Sequence, residues 1–202
     1  MKKLTEFLLS TPALYSSYQR FARGKKTTQM FVDTYIQPKP NQKILDIGCG
    51  PGDLLKYIHD VTYCGFDMDN KYIEYAKKNY GNRGHFFCKK VSRDAITGDN
   101  IFDTVVAMGV IHHLEDHEVQ DLFDISIHLL KPGGRLITHD GCYMSNMSFF
   151  EKLILDMDRG SYVRSELDYK RLVKSGFSEV KTTVRYDLMR IPQATIVMEC
   201  TK

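Results

Sequence analysis

The chain has 202 residues, 43% of them hydrophobic, which is enough to bury one sizeable core and too little for two full catalytic domains. Its 28 Lys and Arg residues nearly balance 25 Asp and Glu residues, and this net charge of +3 argues against a protein that holds long nucleic acid. The five scattered cysteines favour reduced thiols in a cytoplasmic protein, and no apolar run approaches the roughly 20 residues of a membrane span.

The first half of the chain predicts strands and helices in alternation. Residues 1–40 have the pattern of a helical lead-in, which ends at the turn Pro38-Lys39-Pro40-Asn41. After this turn come five predicted elements: strand 43–47, a helix from about Asp53, strand 62–66, helix 70–80 and strand 85–88. This βαβαβ order is typical of a parallel sheet covered by helices.

The second half continues the alternation and then reverses direction. Its predicted elements are strand 102–107, helix 118–130, strand 135–138, helical stretches 147–157 and 167–175, and two final strands at 180–186 and 194–200. The segment Lys131-Pro132-Gly133-Gly134 ends the longest helix, because proline cannot continue a helix and glycine supplies a tight turn. The short link between the final strands requires antiparallel neighbours, so the predicted sheet is mixed.

A glycine-rich loop follows the first predicted strand. Residues 46–53 read Asp-Ile-Gly-Cys-Gly-Pro-Gly-Asp, so the backbone can turn sharply and approach a ligand without obstruction by Cβ atoms. A dinucleotide-binding loop has the spacing G-x-G-x-x-G and holds a pyrophosphate, whereas this loop has the spacing G-x-G-x-G. Pro51 and Asp53 stand where that anion would need N–H donors. The loop therefore favours a ligand without phosphate groups.

An acidic residue follows the second predicted strand. Asp67 lies 21 residues after Asp46, at the position where a carboxylate can accept both hydroxyls of a ribose. The alternative is that the glycine loop is only a tight turn and that Asp67 caps a helix. The two features together, at this spacing, favour a nucleoside ligand.

Four segments, in this order, resemble the successive motifs of class I S-adenosylmethionine-dependent methyltransferases over about residues 40–140. They are residues 44–52, 65–67, 110–114 and 130–136. The resemblance implies an α/β, Rossmann-like, doubly wound sheet of seven mostly parallel strands with helices on both faces. In such a sheet the last strand but one in space is antiparallel. It also implies an enzyme that uses S-adenosyl-L-methionine and releases S-adenosyl-L-homocysteine.

The same resemblance implies which residues bind the cofactor. They are Asp46, Gly48, Gly50, Asp67, Met68, Val91 and Met108. Gly48 and Gly50 approach the methionine part, Asp67 binds the ribose, and Met68 packs on the adenine. Many members have an aspartate after the third strand that accepts the adenine amino group, but this chain has lysines and a valine there. Backbone groups near Val91 are expected to serve instead.

The candidate catalytic residues are those that the fourth and fifth strands deliver to the carboxyl edge of the sheet. Methyl transfer from a sulfonium needs alignment, and a base when the acceptor is a hydroxyl or an ammonium group. His112 is the first candidate for this base, or else it makes a structural or adenine-side contact. His113 is either a second candidate or a loop residue. Asp140 either orients a histidine, positions the acceptor or caps a helix. The histidines lack an H-E-x-x-H pattern, so no metal site is predicted.

The whole chain, 1–202, is predicted to form a single domain, with a lid at 1–40 and an acceptor-side insertion at 141–176. The lid carries Tyr15, Tyr18 and Phe21, with Lys25 and Lys26 available for the methionine carboxylate. Arginines at 164, 185 and 190 are candidates for binding an anionic acceptor, or else belong to exposed charged connections.

The short chain favours a small-molecule acceptor over a polymer. An oxygen of a sugar or another polar metabolite is the first choice for the acceptor, followed closely by a nitrogen. A protein acceptor, a quinone-like acceptor and a cofactor-binding protein without catalysis stay open as alternatives.

Overall fold

The computed structural model describes residues 24–149, 151–152, 155, 161–173, 176–191 and 193–202. Its sheet has the spatial order β3-β2-β1-β4-β5-β8-β7. The strands are β1 (Lys43–Ile47), β2 (Thr62–Asp67), β3 (Gly84–Cys88), β4 (Phe102–Met108), β5 (Leu130–Tyr143), β6 (Arg164–Ser165), β7 (Glu179–Arg185) and β8 (Thr195–Thr201). The two-residue strand β6 lies off this path and pairs with the end of β5.

Strand β8 is the one antiparallel strand among the described strands. It pairs antiparallel with β5 from Arg135↔Thr201 to Gly141↔Thr195, and it also pairs antiparallel with β7. All other pairs are parallel. The predicted mixed sheet, with the last strand but one reversed, is confirmed.

Helices flank the sheet on both faces. They are α1 (Lys25–Phe31), which continues into a π turn at Val32–Ile36, α2 (Asn70–Tyr80), α3 (Asp116–Leu129) and α4 (Glu166–Leu172). Helix α2 begins where the Asp69 side chain accepts the backbone N–H of Lys71. Helix α3 begins with a capping box formed by Glu115 and Glu118. These caps fix where each helix leaves the carboxyl edge of the sheet.

Two apolar clusters cover opposite faces of the sheet, because neighbouring residues of a strand point to opposite faces. In β5, Leu136 belongs to one cluster and Ile137 to the other. Helix α3 packs on the Leu136 face through Phe123, and helices α1 and α2 pack on the Ile137 face through Phe31 and Ile73. The predicted doubly wound arrangement is confirmed.

Two elements differ from the predictions. The helix expected from Asp53 is only a 3₁₀ turn, Asp53–Lys56, because the connection to β2 is short and buries Leu54 and Ile58 as it crosses the sheet. Strand β5 is much longer than the predicted 135–138. Its first residue, Leu130, pairs with Phe102, and β8 supports its far end through Gly141.

The described part of the N-terminal segment contains helix α1 and belongs to the core. Phe31, Tyr35 and Ile36 are buried, and the Arg135 guanidinium donates to the Ile36 carbonyl at 3.0 Å. The expected lid aromatics, Tyr15, Tyr18 and Phe21, lie outside the described residues. None of the described helices is both long and apolar enough to cross a membrane.

Candidate active site

The glycine loop lies where β1 ends, beside the end of β2. The backbone N–H groups of Gly48 and Cys49 both donate to the Phe66 carbonyl, at 2.8 and 3.0 Å. Gly48 and Gly50 have positive φ angles of 72° and 53°, which L side chains rarely adopt. A Cβ atom on Gly48 would lie 2.5 Å from Val110 Cγ2, so the loop needs glycine at this position to pass under the turn after β4.

Asp67 connects the end of β2 to this loop. The Gly50 N–H donates to Asp67 Oδ2 and the Asp69 N–H donates to Oδ1, each at 2.8 Å. Burial raises the pKa of Asp67 above its usual value of 3.8, and the backbone donors oppose this effect. An ionised carboxylate has about four acceptor positions, of which these N–H groups fill two. The remaining two suit a pair of neighbouring hydroxyls, as in a ribose.

Asp46 lies behind the loop, inside the sheet. It is buried, and the Tyr63 hydroxyl donates to its Oδ2 atom. Burial, reinforced by the charge of Asp46, raises the pKa of Tyr63 well above its usual range, so the phenol is the donor. Tyr63 was not among the predicted site residues. The pattern that could have indicated this residue is a tyrosine within a strand that is buried in a parallel sheet, because a buried hydroxyl needs a hydrogen-bond partner.

The other expected cofactor residues differ in exposure. Met68 is 71% exposed, next to Asp67, so an apolar side chain is available beside the carboxylate. Val91 is buried in the core, which leaves its backbone as the group that can face a ligand. Met108 is half-buried at the end of β4, where it pairs with His139 of β5.

His112 and Asp140 form a buried pair between β4 and β5. His112 is 5% exposed and lies in the 3₁₀ turn Ile111–His113, and Asp140 is 2% exposed within β5. His112 Nδ1 lies 2.7 Å from Asp140 Oδ1, and the His112 backbone N–H donates to the same oxygen at 3.2 Å. Because an ionised carboxylate can only accept, Nδ1 is the donor, and Nε2 of the neutral ring carries the lone pair.

The position of Asp140 can be compared with two of its interpretations, a helix cap and a residue that orients a histidine. Asp140 lies inside a strand, so it is not a helix cap. Its contact with His112 is the arrangement in which a carboxylate orients an imidazole. His113 is exposed, and its ring lies 4.2 Å from the His112 ring. Both histidines therefore lie in one turn, but the carboxylate binds His112.

Two of the three candidate arginines already bind other groups of the protein. Arg185 binds Asp187 through Nε and Nη2, each at 2.7 Å, and donates to the Tyr35 hydroxyl at 2.8 Å. Arg164 is bound to the turn after β4, as described below. Arg190 is exposed and lies against Gly24, where an added Cβ atom would be 2.6 Å from its Nε.

Within the described residues, no group of three or more His, Cys, Asp or Glu side chains could hold a metal ion.

Comparison with known proteins identifies the family. Residues 44–134 match the family model described as "Methyltransferase domain". A phosphoethanolamine N-methyltransferase from Triticum aestivum is 30% identical over 171 residues, which cover 81% of this chain and 33% of that protein. The chain thus spans about a third of the length of the curated relatives that it matches first.

Two examples illustrate the solved structures that share the fold. Phosphoethanolamine N-methyltransferase 2 from Haemonchus contortus, in complex with phosphomonomethylethanolamine and S-adenosylhomocysteine, superposes with a TM-score of 0.74 at 15% identity. The match covers 95% of this chain and 57% of that one. A SAM-dependent methyltransferase from Methanosarcina mazei gives a TM-score of 0.68 at 16% identity, covering 85% of this chain and 96% of that one. Residues 44–134 therefore belong to the methyltransferase-domain family, and the chain has the fold of class I S-adenosylmethionine-dependent methyltransferases.

Proposed function

We propose that this methyltransferase acts on the nitrogen of a small polar amine, with phosphoethanolamine as the first acceptor to test. The observation that carries the proposal is the buried contact between His112 and Asp140 at the carboxyl edge of the sheet. A primary amine is protonated near neutral pH, and it must lose a proton before it can attack a methyl group. An imidazole oriented by a carboxylate is suited to removing that proton.

On the donor side, the glycine loop and Asp67 are proposed to hold the cofactor. S-adenosylmethionine supplies a methyl group on a sulfonium centre with a good leaving group. Asp67 accepts the two ribose hydroxyls, because its two backbone donors leave acceptor positions for them. Gly48 and Gly50 let the loop backbone approach the methionine part, and exposed Met68 packs on the adenine.

On the acceptor side, His112 is proposed as the general base. Asp140 holds Nδ1, so Nε2 is the atom that takes the proton from the acceptor. The buried carboxylate then stabilises the imidazolium that forms, because opposite charges interact strongly away from water. A hydroxyl acceptor would use the same base, so the pair by itself supports both N- and O-methylation. The relatives that methylate phosphoethanolamine favour nitrogen.

The rest of the acceptor site is proposed to come from the two segments that flank the core. The part of residues 1–40 that precedes helix α1 would form a lid, since Phe31, Tyr35 and Ile36 are buried in the core. Residues 141–176 would form the acceptor-side insertion. Helix α1, at the end of the first segment, lies near the site, since the Phe31 and His139 rings are 5.1 Å apart. A closed site would exclude water and press donor and acceptor into line.

The acceptor is tested by methyl transfer from labelled S-adenosylmethionine to a matched panel. Phosphoethanolamine, ethanolamine and a set of sugars would be compared at equal concentration, and the product examined by mass spectrometry. We expect the label on the nitrogen of phosphoethanolamine. Label on a sugar hydroxyl instead would overturn the proposed amine acceptor and would favour O-methylation.

A second prediction concerns the phosphate group of such an acceptor. Strand β7 runs parallel to β4 and β5, so the connection that follows Arg185 and carries Arg190 lies at the same edge as His112. Arg190→Met is expected to raise KM for phosphoethanolamine by roughly 10–100-fold, the range for a charged hydrogen-bonding partner. The KM for S-adenosylmethionine should not change.

The matched control is Arg171→Met, since the Arg171 side chain is 68% exposed and pairs with Asp168 on the same helix. This control should leave both KM values unchanged. If Arg190→Met raises the KM for ethanolamine as much as the KM for phosphoethanolamine, Arg190 does not bind the phosphate.

A further inference from the structure

A buried arginine binds the turn that carries His112. The Arg164 side chain is 9% exposed, whereas its carboxylate partner, Asp116, is 71% exposed. Its Nη1 donates to the Ile111 carbonyl at 3.1 Å, and its Nη2 donates to the Leu114 carbonyl at 2.7 Å. Nε and Nη2 also donate to Asp116 Oδ1, and Nη1 donates to the Tyr162 carbonyl. The two loop carbonyls come from the residues that flank His112 and His113.

The backbone around Arg164 contacts both halves of the pair. Arg164 and Ser165 form strand β6, which pairs with Cys142 and Tyr143 at the end of β5. Two residues earlier, the Tyr162 N–H donates to the His112 carbonyl at 2.9 Å. The segment 162–165 therefore contacts the turn that carries His112 and the strand that carries Asp140.

This connection matters because His112 and Asp140 come from different strands. Their 2.7 Å contact depends on how the turn after β4 lies against β5. A guanidinium has donors in a rigid planar fork, so one side chain can fix two carbonyl groups in relation to each other. A lysine ammonium has a single nitrogen on a flexible stem and cannot fix both.

We propose that Arg164 is a positioning residue, which holds the His112 turn at the distance from β5 where the imidazole and the Asp140 carboxylate meet. Arg164 acts through His112 and does not bind the acceptor, because its donors are taken by loop carbonyls and by Asp116. The kinetic part of this inference rests on the proposed role of His112 as a base, whereas the effect of Arg164 on the position of the His112 ring is independent of that role.

The kinetic test is a double-mutant cycle. Arg164→Met is expected to lower kcat by roughly 10–100-fold, because a small misplacement of a catalytic group is costly, while the KM for S-adenosylmethionine stays near normal. In a His112→Ala background the same change should have almost no further effect on kcat. A full additional loss in that background would overturn the positioning role. Arg171→Met is the matched control and should leave kcat unchanged.

The structural test uses the His112 ring itself. In ¹⁵N-labelled protein, the Nδ1 proton that faces Asp140 is expected to give a signal shifted downfield and protected from exchange. Arg164→Met should move or abolish this signal, and Arg164→Lys should shift it less. If Arg164→Met does not fold, the ring signal of the Arg164→Lys variant is compared with that of the wild type instead. An unchanged ring signal in a folded variant would overturn the inference.

The two proposals fail in different ways. If the wild-type chain methylates no amine, the proposed function fails, and the ring signals still decide whether Arg164 positions His112. If amine methylation is observed and the Arg164 variants keep both the ring signal and kcat, only the positioning role fails.

Discussion

Replacing His112 by alanine is expected to lower kcat by roughly 10²–10⁴ while the affinity for S-adenosylmethionine stays near the wild-type value. The reason is that the imidazole is held by the Asp140 carboxylate through Nδ1, at 2.7 Å, and is therefore oriented to accept a proton on Nε2. Steady-state kinetics with the identified acceptor, together with calorimetry of cofactor binding, measure the two quantities separately.

Two variants sharpen this test. His113→Ala removes the neighbouring imidazole but keeps the contact with Asp140, so a smaller loss is expected. Asp140→Asn keeps the shape of the pair, but an amide can donate to Nδ1 and favour the wrong tautomer, so it should also lower kcat strongly. If His112→Ala abolishes cofactor binding, His112 belongs to the donor site. If His113→Ala is the more damaging change, His113 is the base.

Asp67→Ala is expected to weaken the binding of S-adenosylmethionine by roughly 1.5–3 kcal/mol, the range for a charged hydrogen-bonding partner. The carboxylate is fixed by the N–H groups of Gly50 and Asp69, so it meets the ribose without reorganisation. Isothermal calorimetry measures the change. Asp121→Ala is a suitable control, because Asp121 is an exposed aspartate on helix α3. Equal affinities in the wild type and Asp67→Ala would contradict the assignment.

The affinity should also depend on pH. Only the ionised carboxylate of Asp67 can accept at both oxygens, so binding weakens as the pH falls through the pKa of this group. Burial raises that pKa above 3.8, so the loss should begin at a higher pH than for an exposed aspartate. In an Asp67→Asn variant this pH dependence should disappear.

The order of strands and helices could be predicted from the sequence because each element has a local signal. Apolar alternation marked the strands, and the link containing Arg190 was too short for anything except an antiparallel neighbour. The length of β5 could not be predicted in the same way. Residues 130–134 contain proline and two glycines, which favour a turn, and they join the strand only because Phe102 and Lys202 pair with them across the sheet.

The geometry of the glycine loop and Asp67 follows more directly from the sequence than the geometry of His112 and Asp140. The glycine loop and Asp67 lie close to one another in fixed local motifs, and the structure joins them through the Gly50 N–H. The contact between His112 and Asp140 joins two strands, and a single sequence gave no reason to pair Asp140 with His112 instead of His113. The role of Arg164 was equally hidden, because its partners lie about fifty residues away in the chain.

The position of β8 has a consequence for how the protein is made. This strand follows β5 and β7 in the chain, yet it lies between them in the sheet. During synthesis, one edge of β5 therefore stays without its partner until β8 has left the ribosome, and an unpaired strand edge is prone to wrong pairing. Asp140 lies on β5, opposite Ile196 of β8. His112 and Asp140 are thus made before β8, and the strand that carries Asp140 gains that neighbour only after β7 has also been made.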